Sequence, residues 1–160
     1  MNRPLFIIAA LSFLAGAWFM ASQPLASAHC QIPCGIYDDP ARVAQMKEDA
    51  LTIRKAVTQM AALMEAQSDH PLQDFNQGSR WVMTKDQHAQ NIQDVASYYF
   101  LTQRVKAVPA GEDGHDTYMT QLAAFHRILV AAMKCKQTVD VANVDELDAA
   151  IAAVAGWYTE

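Results

Sequence analysis

DPARVAQMKEDALTIRKAVTQMAALM, residues 39–64, is the stretch whose reading decides the fold class. Val43, Met46, Ala50, Ile53, Val57, Met60 and Met64 recur in alternating steps of three and four, so they share one face of a helix. Asp39 followed by Pro40 marks the start: the aspartate is placed to cap, and the proline takes the first helical position, where an N–H is not missed. The methionines at 46, 60 and 64 read as flexible core filler, not as copper ligands. Ser68-Asp69-His70-Pro71 ends the segment.

Downstream the same period returns three times. A second helix is expected from near 79 to about 105, with Trp81, Lys85, His88, Ile92, Val95, Tyr99 and Thr102 on its inner face. PAGEDG at 109–114 is a loop. A third helix over 116–136 carries Tyr118, Leu122, Phe125, Leu129 and Ala132, and a fourth opens at Asn143, with Glu146 completing a capping box. Its buried face is Leu147, Ile151, Val154 and Tyr158. No segment sustains a period of two, so the chain is read as all-α, an up-down-up-down four-helix bundle over 40–160.

Upstream, residues 1–28 divide as a secretory leader does. They hold 19 apolar residues and one charge, Arg3. An apolar run from Leu5 to Met20 is followed by Pro24 and the small-x-small pattern Ala26-Ser27-Ala28. Cleavage after Ala28 makes His29 the first residue; an uncleaved anchor is the alternative. Export to the periplasm or extracellular space follows from cleavage. Without the leader the formal net charge moves from −5 to −6, and no Lys/Arg run is present. An acidic body of this kind argues against nucleic acid or an anionic membrane as partner.

The remaining segment, 29–39, carries the chemistry: His29-Cys30-Gln31-Ile32-Pro33-Cys34-Gly35-Ile36-Tyr37 precede the two aspartates. A free amine at His29, the next backbone amide and the Cys30 thiolate can close two fused five-membered chelate rings on one metal. Cys34 can return a second thiolate if the chain curls, and Pro33 and Gly35 help it do so. Such a tetragonal nitrogen–sulfur set suits nickel(II) or copper(II). The residues alone leave three readings open: a redox enzyme, an exported non-catalytic nickel or copper carrier, or a bundle with a Cys30–Cys34 disulfide. His70, His115 and His126 read as having no catalytic role, and Cys135 as a partly buried or surface thiol.

His-Cys-x-x-Pro-Cys-Gly-x-Tyr behind a cleavage site resembles the hook of the nickel superoxide dismutases, and the likeness extends through Arg80 to Gln90 and Tyr98-Tyr99-Phe100. The resemblance implies one nickel ion per chain, held by the His29 amine, the Cys30 amide nitrogen and the Cys30 and Cys34 thiolates. The His29 imidazole joins as an axial ligand in Ni(III). It implies superoxide as substrate, a homohexamer and a processing peptidase. Tyr37 guards the open axial face in the family, and Tyr99 resembles its second tyrosine near the metal, with core packing as the other reading. His88 is open between a core histidine and a residue orienting His29 from behind. The carboxylate that supports the axial histidine in some relatives falls near Gln45, Glu48 and Asp49.

Overall fold

The computed structural model describes residues 32–66 and 68–158, and its regular structure there is helical throughout. Helix α1 is Asp39–Ala66, α2 is Pro71–Asp94, α3 is His115–Gln137 and α4 is Val141–Ala155. Without a break, α2 continues into a π-helical segment, Val95–Arg104. Consecutive helices pack on one another, and α1 closes the ring against α4. With tight connections at 68–70 and 138–140 this is the expected up-down-up-down bundle. Among the described residues no helix is long and apolar enough to cross a membrane.

The stripe of α1 is buried from Val43 through Met60, as its spacing requires. Met64 is the exception: it is 81% exposed, on the rim of an open apolar groove shared with Phe75 and Val82, and so is not core. The α4 face is buried as expected, with Val144 added and Tyr158 in the turn beyond the helix. Cys135 is 1% exposed, deeper than a partly buried or surface thiol; its Sγ donates to Asn143 O at 3.4 Å. Burial pushes that thiol up to about 11.

Three boundaries differ from the sequence reading. Helix α2 begins at Pro71, well before 79. Its opening turns expose Leu72 and Phe75, so no apolar period announces them. Ser68 and His70 start it: His70 O accepts from Gln73 and Asp74 N, while Ser68 Oγ bridges His70 N and Asp74 Oδ2. The cap of α4 is Asp140, whose carboxylate accepts from Ala142 N at 2.9 Å. Asn143 instead donates to Thr138 Oγ1 and Glu146 pairs with Arg127, so the expected capping box does not form. In α1 the capping carboxylate is Asp38, which accepts from Ala41 N at 3.1 Å, and Asp39 is already helical.

The fourth difference changes which residues face inward. Over 95–104 the helix winds to i→i−5 bonding, closing with Val105 N donating to Phe100 O, while the Thr102 hydroxyl and the Gln103 side-chain amide donate to the carbonyls of Ser97 and Tyr98. The wider winding lets Tyr99 and its neighbour Phe100 both be buried; Gln103, four residues after Tyr99, faces inward, and Thr102 is exposed to solvent. Phe100 stacks on Phe125 at 4.9 Å between ring centres and packs against Tyr158.

Lys85, on the α2 stripe, is 2% exposed. Its ammonium donates to Cys135 O at 2.6 Å, Lys136 O at 2.8 Å and Asp86 Oδ1 at 2.7 Å. The first two are carbonyls of the last turn of α3, which no later helical N–H reaches. A buried cation at a helix C-terminus is favourably placed against the helix dipole.

Candidate metal centre

Ile32 to Gly35 form a tight turn ahead of α1. Ile36 N donates to Pro33 O at 2.9 Å, the Ile32–Pro33 bond is cis, and Gly35 takes φ = 83°, a conformation that favours glycine. Cys34 stands exposed on this turn. His29 and Cys30 lie outside the described residues. Among those described, no three His, Cys, Asp or Glu side chains converge as a metal-holding group.

Behind the turn sits a polar and aromatic cluster built from three pieces of chain. The segment after the turn gives Tyr37, the first turn of α1 gives Asp39 and Arg42, and the π segment gives Tyr99, Gln103 and Arg104. Asp39 is the joint between them. Its Oδ1 accepts from the Tyr99 hydroxyl at 2.6 Å, and its Oδ2 accepts from Arg104 Nε at 3.0 Å and Nη2 at 2.7 Å. This is why Asp38, not Asp39, caps the helix: two adjacent carboxylates divide the local and the tertiary work. The Tyr37 ring meets the Tyr99 ring edge-on at 5.8 Å, and the Arg104 guanidinium lies 4.5 Å from the Tyr37 ring centre. Arg42 covers Tyr99 at 5.6 Å. Gln103 Nε2 approaches Ile32 O at 3.5 Å, long for a hydrogen bond, and its buried Oε1 has no partner among the described residues.

Burial, then the bond to Asp39, pushes the Tyr99 phenol up to about 12, so it stays a neutral donor at physiological pH. The Arg104 guanidinium is held still more firmly charged by its bonds to Asp39. Tyr37 is 37% exposed and Tyr99 only 4%, so the two rings form an outer and an inner layer.

The structure thus brings Cys34, Tyr37 and Tyr99 to one end of the bundle. His88 lies elsewhere, eleven residues before Tyr99, which is three turns or about 16 Å along the helix. Its Nδ1 donates to Asp49 Oδ1 at 2.5 Å; Asp49 is 5% exposed and also accepts from Asn91. Of the three residues near the expected carboxylate, Asp49 faces the histidine, Gln45 accepts from Arg42 and Glu48 is exposed. His115 donates to Val108 O, steadying the loop, and His70 and His126 are exposed. Gln103 lies four residues after Tyr99 and shares its face. It and Arg104 escaped the sequence reading because that reading set Thr102 on the stripe and neither polar side chain announces its distant partner.

A profile describing nickel-containing superoxide dismutases matches residues 24–160. The chain belongs to that family. Comparison with curated proteins and with solved structures returned no match. The all-helical body fits the family. The enzyme is an oxidoreductase that converts superoxide to dioxygen and hydrogen peroxide, with nickel as its cofactor. Nothing favours the non-catalytic carrier over it.

Proposed function

We propose that residues 29–39 are the nickel-binding hook and that removal of residues 1–28 by a peptidase creates it. His29 through its amine and imidazole, Cys30 through its amide nitrogen and thiolate, and Cys34 through its thiolate hold one nickel ion per chain. The observation that carries this reading is the exposed Cys34 thiol on a tight turn, four residues after Cys30, backed by the tyrosine pair. Thiolates with an amine and an amide nitrogen fit nickel and not a hard cation, and zinc would normally take four side-chain ligands where this segment offers three.

Bound there, nickel supplies the Ni(II)/Ni(III) couple that takes an electron from one superoxide and returns it to a second. The chain's own residues do the rest. Tyr37, half exposed beside the turn, restricts approach to small species and orders water near it. Tyr99 backs Tyr37 and, as a neutral phenol tied to Asp39, keeps that wall polar and uncharged. The two protons that complete hydrogen peroxide come from water at this exposed face. His88, paired with Asp49 three helical turns from Tyr99, is read as a structural residue and not as a support for His29. Export through the leader and assembly into a homohexamer that covers the hooks complete the proposal.

Mass spectrometry of the native protein with metal analysis tests it directly. A chain starting at His29 with one nickel supports the hook, and an intact leader or any other first residue sinks it. Cys34→Ser is expected to lose both nickel and dismutation; full activity refutes the ligand assignment.

A further inference from the structure

Tyr37 lies in the irregular stretch 36–38, before any helix begins. A half-exposed ring on such a segment needs tertiary contacts to keep one orientation, and the structure supplies two: the edge of Tyr99 and the face of Arg104. We infer that Arg104 is a positioning residue for the dismutation reaction, locking the Tyr37 ring beside the Cys34 turn. This deepens the reading of Tyr37 given above and rests on it.

The geometry uses both properties of a planar guanidinium. Its edge closes on Asp39 Oδ2 with two N–H groups, which fixes the plane; its face then lies against Tyr37. Asp39 is two residues from Tyr37 in the chain, so the clamp grips the aromatic ring and the start of α1 together. The anchor at the other end is the π segment, from which Gln103 approaches Ile32 and Arg104 reaches Asp39. Arg104 is paired with a carboxylate, so its contribution is orientation, not attraction of an anion from a distance. A lysine keeps the charge, but a compact ammonium cannot make the fork and the flat stack at once.

Two measurements on the nickel-loaded enzyme separate these roles. In Arg104→Lys and Arg104→Gln, kcat/KM is expected to fall alike, by about tenfold, a common cost of losing a residue that orients a metal-site group. Treatment with a nitrating reagent, with sites read by peptide mass spectrometry, is expected to show Tyr37 modified several times faster in both variants. Tyr98, 54% exposed on the same segment as Arg104, serves as the internal standard and stays unchanged. Full activity in Arg104→Lys with loss in Arg104→Gln, or an activity difference that vanishes at high salt, would assign a charge role and overturn the clamp. Unchanged Tyr37 nitration in both variants overturns it as well. Tyr37→Leu separates the clamp from the reading beneath it. If that variant keeps full activity, the gating role of Tyr37 fails, while nitration still decides whether Arg104 holds the ring. If Tyr37→Leu is impaired and both Arg104 variants are fully active, the positioning role is wrong and the reading of Tyr37 stands.

Discussion

Replacing Lys85 by methionine keeps the length of the side chain and removes the buried ammonium. Three hydrogen bonds disappear: one to a half-exposed Asp86 carboxylate and two to the last-turn carbonyls of Cys135 and Lys136. Each buried carbonyl left without a donor costs about 1–3 kcal/mol, and the lost charge–dipole interaction adds up to about 1 kcal/mol. Against this stands the relief of no longer burying a cation, worth several kcal/mol in a dry interior but reduced here by three well-formed bonds. The balance is a net loss of about 2–3 kcal/mol, or a drop in Tm of roughly 8–12 °C for a domain of this size. Circular dichroism during thermal and urea unfolding reads it, with Asp86→Asn as the control. Asp86 is 46% exposed in its side chain, so the control is expected to lose less than about 1 kcal/mol. A Lys85→Met protein as stable as wild type would show that desolvation cancels the cap, and the account of Lys85 as a helix terminator would be wrong.

Other consequences follow from buried groups. His88→Gln leaves Asp49 buried with only Asn91 as a partner, so unfolding is expected to shift by about 1–2 kcal/mol, less than for a fully buried pair because His88 is partly exposed; no shift in the urea midpoint would count against the pair. Cys135, pushed up to about 11 by burial, is expected to resist alkylation at pH 8 in the folded protein and to react promptly in urea; rapid native labelling on its peptide would contradict the packing. Tyr99 is pushed up to about 12, chiefly by burial and then by its bond to Asp39, so the fold favours the neutral phenol. Its contribution is therefore complete below pH 10 and lost as pH rises from 10 toward 12. Wild type should lose more stability than Tyr99→Phe between pH 9 and pH 11.5, since the raised phenol of Tyr158 titrates in both; equal losses would refute this.

The bundle was legible because apolar spacing reports burial directly. α1 and α4 bury nearly all the residues their period names; α3 buries Phe125 and Ala132 but only partly Tyr118, Leu122 and Leu129, its innermost face running through Ile128 and Ala131. What stayed hidden has specific causes. The first two turns of α2 bury nothing large, so periodicity had no signal to give there. Asp38 and Asp39 are chemically equivalent in the sequence, and only the tertiary neighbours Tyr99 and Arg104 decide which one caps. Lys85 looked like a polar intrusion on an apolar face because its partners are backbone carbonyls fifty residues away, invisible to local pattern. At the site, Cys34 and Tyr37 stood out through motif and spacing. Gln103 and Arg104 did not, since their partners Ile32 and Asp39 lie more than sixty residues away in the chain and no local pattern names them.

The wide turn of the π segment also sets which mutations it tolerates. Exchanging one side chain between 95 and 104 leaves the winding intact, whereas losing a single codon does not. A one-residue deletion would restore ordinary helical bonding and, locally, better hydrogen bonds. It would also swing everything beyond it by about 100° around the axis, carrying Gln103 and Arg104 away from the turn that holds Cys34. Core and site thus share one register: the same swing would carry Val105 out of the core and Arg104 away from Asp39, so stability and dismutation would be lost together.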